Sequence, residues 1–227
     1  MRVEGKCFEC RSVLFDMDGV LVNTEPLKGL AHVLAVRSLG GDASLGLYKR
    51  WMGRPRQEVA NNYIEHSNVH ADLDEYDQLF QEKYFYLLKN HLVSTRNVSK
   101  LLTDLHQLNI RIALVSSSRK WMIDYILSKL SLGDMFDSIV SSDDVTSEKP
   151  DPEPYRIALK QLGIKPANGL AIEDSESGVT AATQAGLAVI AIRHDFNTQQ
   201  NLSNAIVEFE YIPALQEILH CFNGGML

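Results

Sequence analysis

Short, continuously apolar runs separated by helical patterns limit the fold of this sequence more than any other feature. Such runs lie at residues 110–116, 138–141, 170–174 and 187–193, and apolar residues at helical spacing fill the intervals between them. A strand with one face in water alternates apolar and polar residues, whereas a strand covered on both faces is apolar throughout. The pattern therefore predicts an α/β fold, a doubly wound parallel sheet with helices on both faces.

One long interval interrupts this alternation. Between Pro26 and the run at residue 110 only helical periodicities occur, with apolar positions at 27, 30, 31 and 34, a helix start at Pro55, and further apolar positions from Tyr76 to Leu88. A connection between a strand and the next helix in α/β units takes about 2–6 residues. We therefore predict an inserted α-helical cap subdomain at residues 26–96 and a core formed by residues 1–25 and 97–227. The last helix of the interval, at residues 98–108, is assigned to the core.

The composition is that of a globular protein without a nucleic-acid or membrane partner. The chain has 227 residues, 45% of them hydrophobic, and a net charge of −7. An acidic balance offers no electrostatic footprint for nucleic acid or an acidic membrane surface. No apolar run approaches the roughly 20 residues of a membrane span, and the first residues lack the apolar segment of a secretory signal. We therefore expect a cytoplasmic location.

Cysteine usage indicates neither a disulfide framework nor a metal site. Cys7 and Cys10 form a single C-x-x-C pair, and Cys221 lies far away in the sequence. A zinc site of this type needs a second pair of cysteine or histidine ligands at matching spacing, and the sequence offers none. We expect Cys221 to pack as a small apolar residue and the C-x-x-C pair to have no metal or redox role.

Two aspartates follow the first apolar run. In "SVLFDMDGV", residues 12–20, Asp16 and Asp18 stand one residue apart at the end of a predicted strand. Asp18 and Gly19 could form a simple turn or cap a helix. The pattern does not match a calcium-binding EF-hand loop, because Gly19 follows Asp18 directly and no third ligand precedes Asp16. Carboxylates this close repel one another and lose hydration on burial, so a bound cation is the main alternative to a turn.

A second acidic pair ends the run at residues 170–174. Glu173 and Asp174 precede "SESG", and Asp174 or Ser175 could cap the helix that follows. Because the carboxyl ends of parallel strands meet at one edge of a sheet, we expect both acidic pairs at that edge. Oxygen ligands of this kind suit a hard cation, and Mg²⁺ is the common one.

Hydroxyl groups and one lysine could complete an anion site at the same edge. Ser116 ends a predicted strand, and Ser117 or Ser118 stands at the expected start of a helix, where free backbone N–H groups suit a phosphate. Lys149 precedes Pro150, which restrains the backbone at the lysine. A lone lysine is usually a solvated surface charge. A lysine that faces several carboxylates and an anion would instead neutralise charge at a transferring phosphoryl group.

These segments, taken in order, resemble a known family. "DMDGV" (residues 16–20), the strand-end Ser116, "KPDPE" (residues 149–153) and "IEDSESG" (residues 172–178) are similar to the motifs of the haloacid dehalogenase superfamily. The resemblance is closer to its phosphatase and β-phosphoglucomutase branch, and it covers residues 12–219. It implies a Rossmann-like core with an inserted helical cap.

The resemblance also implies a role for each motif. Asp16 would be the nucleophile that forms an aspartyl-phosphate, and Asp18 the general acid for the leaving alcohol and then the base that activates water. Ser116 and Lys149 would hold the phosphoryl oxygens. The groups implied for Mg²⁺ are Asp16, the backbone carbonyl of Asp18, Asp174 and, directly or through water, Glu173.

Comparison with the family pattern favours one activity over its neighbours. Members that cleave carbon–halogen bonds lack a carboxylate at the position of Asp18 and need no metal, so phosphoryl transfer is favoured. The mutases carry a K-G-x-S-R run in the cap, which here reads "MGRPR", residues 52–56, with only the glycine and Arg56 in common. They also have a histidine where Lys28 stands. Water is therefore favoured over a sugar as the acceptor.

The sequence thus predicts a Mg²⁺-dependent phosphatase for a small-molecule phosphate ester, with a sugar phosphate as the favoured class. A β-phosphoglucomutase-type mutase is the alternative. A catalytically silent binding protein is disfavoured, because none of the four motifs is missing. The residues expected to contact the substrate are Gly19, Thr24, Lys28, Arg56, Ser117 and Ser118.

Overall fold

The computed structural model describes residues 10–214 and 216–218, and its centre is one parallel sheet. The strands are β1 (Ser12–Phe15), β2 (Arg111–Val115), β3 (Ser138–Val140), β4 (Gly169–Glu173), β5 (Ala188–Ile192) and β6 (Val207–Phe209). They pair in the order β3-β2-β1-β4-β5-β6, and every pairing is parallel. From β1 the chain first adds strands on one side of the sheet, β2 and β3, and then on the other side, β4 to β6. In α/β sheets a ligand crevice lies at such a switch point, beyond the carboxyl ends of the strands.

Eight α-helices lie wholly within the described residues. They are α1 (Glu25–Ser38), α2 (Leu45–Trp51), α3 (Arg56–His66), α4 (Leu73–His91), α5 (Val98–Gln107), α6 (Lys120–Leu130), α7 (Glu153–Leu162) and α8 (Glu176–Gln184). Helix α7 ends before Gly163, whose φ of +67° suits glycine. Helix α8 starts after Ser175, whose hydroxyl accepts the N–H of Gly178 at 3.0 Å.

Alternate strand residues face opposite helical layers, and this explains why each strand is apolar throughout. Leu14, Ala113 and Ala171 belong to the cluster packed against α7 and α8. Val13 and Phe15 belong to a larger cluster on the opposite face, which includes α5 and α6. Both faces of the sheet are therefore covered, and the predicted doubly wound α/β fold is confirmed.

The interval between β1 and β2 is helical, as the sequence predicts. Helices α1–α4, the cap helices, pack on one another, and α1 packs most extensively on α4. Their buried tyrosines Tyr63, Tyr76 and Tyr84 belong to the same continuous cluster as one face of the sheet. Helix α5 packs on β2. The division into a core of residues 1–25 and 97–227 and a cap of residues 26–96 stays a prediction.

Two short elements lie outside the sequence prediction. Helix α2 has seven residues, of which only Tyr48 and Trp51 are buried. Strand β6 has three residues, of which only Phe209 is buried. Neither is long enough for apolar periodicity to identify it.

Helix α6 begins at Lys120, later than the start expected at Ser117 or Ser118.

Of the three cysteines, only Cys10 lies in the described part of the chain, and Cys7 and Cys221 lie outside it. Burial raises the pKa of the Cys10 thiol to about 12. A protonated thiol is a poor nucleophile and a poor metal ligand, whereas the expectation for the C-x-x-C pair stays a prediction. None of the described helices has both the length and the apolar character needed to cross a membrane.

Candidate active site

The sheet register brings the ends of β1, β2 and β4 level with one another. Phe15 pairs with Leu114 on one side and with Ile172 on the other. Asp16 continues β1 and donates its backbone N–H to the carbonyl of Ile172 at 2.9 Å. Asp16 and Glu173 therefore emerge side by side at one edge of the sheet, as the sequence predicts.

Three buried carboxylates form the centre of the site. Asp16, Glu173 and Asp174 each offer a carboxylate oxygen within 4.8 Å of those of the other two. Burial raises the pKa of Asp16 and of Asp174 well above the ordinary value, and neighbouring carboxylates raise both further. Three buried carboxylates that repel one another fit a divalent cation such as Mg²⁺, because the cation binds oxygen ligands and would offset their negative charge.

Lys149 places a positive charge among these carboxylates. Its Nζ donates to Asp16 Oδ1 at 2.6 Å, to Glu173 Oε1 at 2.7 Å and to the carbonyl of Val115 at 2.9 Å. Burial alone would lower the pKa of Lys149, but Asp16 and Glu173 hold it above its ordinary value. The lysine is therefore a buried cation and not a solvated surface charge.

Glu173 is held by the protein at both carboxylate oxygens. Oε1 accepts from Lys149 and, at 2.7 Å, from the Tyr155 hydroxyl. Oε2 accepts from the backbone N–H groups of Asp174 and Ser175 at 3.0 and 3.3 Å, and from the Ser175 hydroxyl at 3.2 Å. These donors leave Glu173 better placed to fix Lys149 and the start of α8 than to coordinate a cation directly.

Gly178 makes room for this carboxylate, because a Cβ at residue 178 would overlap both oxygens of Glu173. We expect Gly178→Ala to lower the free energy of unfolding, measured by urea denaturation, by about 3 kcal/mol, since Glu173 cannot move without losing Lys149. Gly46→Ala is the matched control. A Cβ there meets only the Ser44 hydroxyl at 3.5 Å, so stability should be unchanged or slightly higher. Equal stability of the two variants would contradict this packing.

Asp18 has a different environment, which favours its charged form. The Thr24 hydroxyl donates to Oδ1, while Oδ2 accepts from the Ser118 hydroxyl at 3.1 Å and lies 3.0 Å from Lys28 Nζ. Burial would raise the pKa of Asp18, but Lys28 and the hydroxyl donors together bring it below the ordinary value. The pKa values of Asp16 and Asp18 are thus driven apart, as is typical of paired carboxylates with separate catalytic tasks.

Glu25 also belongs to the site, although the sequence prediction did not include it. Its carboxylate is buried and accepts from the Tyr48 hydroxyl at 2.7 Å and from Lys28 at 2.9 Å. After burial, Glu25 is the main reason that the pKa of Asp174 is raised. Glu25 begins α1, and an acidic residue in the first turn of a helix has a common structural explanation, so its sequence position alone did not indicate a site residue.

The loop that follows β5 contacts Asp174 at its side chain and at its backbone. His194 Nε2 lies 2.8 Å from Asp174 Oδ2, and Asn197 Nδ2 donates to the Asp174 carbonyl at 2.6 Å. Burial lowers the pKa of His194. Asp16, Ser116 and Glu173 are predicted because each ends or follows an apolar run, and His194 likewise follows the run that contains β5. That strand end was the available signal for His194.

Gly19 permits the close approach of Asp174. Its φ is +77°, and a Cβ at this position would overlap the Asp174 carboxylate. Glycine is therefore the residue type that fits both the backbone conformation and the space.

Three serines precede α6 at the same edge. Ser116 is buried, and its hydroxyl oxygen accepts the backbone N–H of Ser118 at 3.1 Å. The Ser118 hydroxyl donates to Asp18, and Ser117 is exposed at the cavity described next. The hydroxyl groups thus lie beside the acidic cluster, although α6 begins at Lys120.

A cavity of about 300 Å³ lies between the sheet edge and the cap helices. The cap side contributes the rings of Trp51, Phe80 and Tyr84, together with Arg56. Arg56 Nη1 lies 3.0 Å from Asp77 Oδ2, so the arginine already has an ionic partner.

Two hydrogen bonds join the cap to the core beside this cavity. The carbonyl of Met52 accepts from Gln200 Nε2 at 2.9 Å, and the carbonyl of Gly53 accepts from the Ser177 hydroxyl at 2.9 Å. The loop between α2 and α3 is therefore held against the start of α8, and the cap covers the acidic cluster.

The sequence of this chain matches a known protein family. The sequence pattern described as haloacid dehalogenase-like hydrolase matches residues 13–192, which include the aspartates, serines, lysine and glutamate of the site. This chain belongs to that family. Its membership confirms the resemblance noted in the sequence.

Relatives of this haloacid dehalogenase-like hydrolase include named phosphatases. A phosphorylated carbohydrates phosphatase of Thermotoga maritima is 31% identical over 214 residues, which cover 92% of this chain and 99% of the relative. A phosphoglycolate phosphatase of Pseudomonas savastanoi pv. phaseolicola is 29% identical over 194 residues, which cover 82% and 70%. A β-phosphoglucomutase structure from Clostridium difficile is similar in fold, with a TM-score of 0.78 and 24% identity over 94% of this chain and 97% of that one. The family and its phosphatase members identify the chain as a phosphatase-type hydrolase, as predicted.

In this haloacid dehalogenase-like hydrolase, every predicted site residue lies at or beside the cavity. Those that line it are Asp16, Asp18, Lys28, Arg56, Ser117, Ser118, Lys149 and Asp174. The remaining predicted residues do not line the cavity but contact residues that do; they are Gly19, Thr24, Ser116 and Glu173. Arg56 lies on the cap side and makes its ion pair with a cap residue rather than with the acidic cluster.

Proposed function

We propose that the chain is a Mg²⁺-dependent phosphatase that releases phosphate from a small phosphorylated metabolite, with a sugar phosphate as the favoured class. The observation that carries this proposal is the position of Asp16. It is a buried carboxylate at a strand end, with Lys149 on one oxygen and the charges of Asp18 and Asp174 close by. The phosphorylated carbohydrates phosphatase among the relatives supports the class of substrate.

Asp16 would act as the nucleophile. Lys149 occupies Oδ1, whereas Oδ2 receives no hydrogen bond from the described residues and is available to attack phosphorus. The attack would form an aspartyl-phosphate and release the alcohol, and water would then hydrolyse the acyl phosphate and regenerate the carboxylate. Lys149 and Ser116 would hold the phosphoryl oxygens, and the lysine would offset the charge that develops on them.

Asp18 would move a proton in each of these steps. As an acid it would protonate the oxygen of the leaving alcohol, and as a base it would take a proton from the attacking water. Thr24, Ser118 and Lys28 orient its carboxylate and favour the ionised form. That form is the one required to activate water.

Asp16, Asp174 and the backbone carbonyl of Asp18 would hold Mg²⁺. Glu173 would contribute through water rather than directly, because Lys149, Tyr155, Asp174 and Ser175 already donate to its oxygens. Bound Mg²⁺ would neutralise charge on the phosphoryl group and orient it for in-line displacement.

The cap side of the cavity would bind the alcohol part of the substrate. It combines polar groups, including Glu25, Lys28 and Tyr48, with the rings of Trp51 and Phe80. A sugar offers hydroxyl groups to the former and C–H faces to the latter. With the cap closed, bulk water would be excluded during transfer. Other candidate substrate contacts are Gly19, Thr24, Arg56, Ser117 and Ser118.

Phosphate release from a panel of sugar phosphates and nucleotides, with Mg²⁺ or with excess EDTA, tests the proposal. We expect release from at least one sugar phosphate in Mg²⁺ and loss of that activity in EDTA. The mutase alternative predicts instead that β-glucose 1-phosphate becomes glucose 6-phosphate faster than phosphate is released. Full activity in EDTA would refute the role of the metal. A folded protein that turns over no phosphate ester would favour a binding protein.

A further inference from the structure

We propose that His194 is a positioning residue that fixes the carboxylate of Asp174 for cation binding, an inference that rests on the proposed function. His194 lies two residues beyond β5, outside every motif that the sequence singled out. Its Nε2 is 2.8 Å from Asp174 Oδ2, so this contact joins the ends of two neighbouring strands.

The hydrogen bonds of the imidazole ring determine its tautomer. The backbone N–H of Phe196 donates to His194 Nδ1 at 3.2 Å, so Nδ1 carries a lone pair and the proton is on Nε2. The ring therefore donates its Nε2–H to Asp174. A donor on one carboxylate oxygen supports the ionised form and fixes the plane of the carboxylate, as outer-shell partners do at metal sites.

The loop that carries His194 is itself fixed at the sheet edge. Asn197 is fully buried, and its Nδ2 donates to the carbonyls of Asp174 and Ile192 at 2.6 and 2.8 Å. Its Oδ1 accepts the backbone N–H of His194 at 2.8 Å. One side chain thus holds the backbone of His194 and the backbone of the residue that His194 contacts.

Gly19 bounds the Asp174 carboxylate at a second point. A Cβ on Gly19 would overlap this carboxylate and would lie 3.0 Å from His194 Nε2. Without the imidazole, the Asp174 side chain would lose its one side-chain donor among the described residues and could rotate away from the acidic cluster. Loss of such an outer-shell partner typically weakens metal binding about 10–100-fold.

Isothermal titration calorimetry of the full chain with Mg²⁺ tests this role independently of activity. We expect His194→Ala to weaken Mg²⁺ binding about 10–100-fold. His194→Gln places an amide N–H near the position of Nε2 and should restore most of the affinity. His106→Ala, at an exposed position on α5, is the matched control and should bind like the wild type. Thermal unfolding in EDTA reports whether each variant is folded, and His194→Leu replaces the alanine variant if that variant is not.

The outcomes separate this inference from the proposed function. An affinity of the alanine or leucine variant within about two-fold of wild type would overturn the inference, and so would a glutamine variant as weak as the alanine variant. At saturating Mg²⁺ the alanine variant should regain most of its kcat for phosphate release, because its defect lies in metal affinity. If Mg²⁺ affinity falls in the alanine variant and is restored in the glutamine variant, but the wild type hydrolyses no phosphate ester, the phosphatase is overturned and the inference stands.

Discussion

Asp16→Asn should reduce phosphate release by a factor on the order of 10⁴ or more, the size expected when the nucleophile is lost. The amide keeps the shape of the side chain and can still accept from Lys149, but it cannot attack phosphorus. Because attack precedes every later step, the loss should be the same for all substrates that the wild type hydrolyses. The measurement is release of p-nitrophenol from p-nitrophenyl phosphate at saturating Mg²⁺.

Asp134→Asn is the matched control for this substitution. It makes the same chemical change on an exposed side chain outside the cavity and should keep wild-type turnover. The Asp16→Asn protein should remain folded, because the charge that it loses is disfavoured by burial and neighbouring carboxylates, and Lys149, which favours that charge, keeps Glu173 as an ionic partner. Substantial activity of the Asp16→Asn protein would mean that another group attacks phosphorus.

Lys149→Met should have the largest effect on stability. The methionine leaves Asp16 and Glu173 buried without the cation that each of them contacts. Breaking a buried ion pair by removing one partner typically costs about 3–5 kcal/mol, and we expect a loss of this size in urea unfolding with EDTA present. Lys100→Met is the matched control. Lys100 is 74% exposed and pairs with Asp104 at 2.6 Å, so its loss should cost at most about 0.5 kcal/mol.

The deficit of Lys149→Met should depend on pH. Without the lysine, which lowers the pKa of Asp16, that pKa in the folded state rises further above its unfolded value. The folded variant then binds more protons than the unfolded chain, so its stability falls as the pH rises through the interval between those values. The difference from wild type should therefore shrink between pH 7 and pH 5. A loss of stability that is small or independent of pH would show that Lys149 does not stabilise the charged form of the Asp16 carboxylate.

The strands β1–β5 and the longer helices could be predicted from the sequence, because a strand covered on both faces needs no polar side chains. Strand β6 could not be predicted, since its three residues are held by pairing with β5 rather than by a pattern of their own. Helix α2 packs through Tyr48 and Trp51, and two apolar residues do not define a period.

The core of the site could be predicted for a geometrical reason. Asp16, Ser116 and Glu173 end or follow strands of one parallel sheet, so their approach follows from the fold alone. The contacts of His194 with Asp174 and of Glu25 with Tyr48 depend on how loops and cap helices pack. No pattern in the neighbouring sequence predicts that these pairs of residues are in contact. The full occupation of the Glu173 oxygens could be read only from the structure.

The order of the strands has a consequence for how the enzyme is made. Asp16 emerges from the ribosome long before Lys149, which follows it by 133 positions, and β4 follows later still. Until β4 takes its place beside β1, the two early aspartates can remain hydrated like ordinary surface groups. The electrostatic cost of gathering Asp16 with Glu173 and Asp174 therefore cannot arise before β4 has been synthesised, and by then the chain already contains Lys149. A chain whose translation stops before β4 would carry Asp16, Asp18, Ser116 and Lys149 but neither Glu173 nor Asp174, so the cluster of three carboxylates could not form.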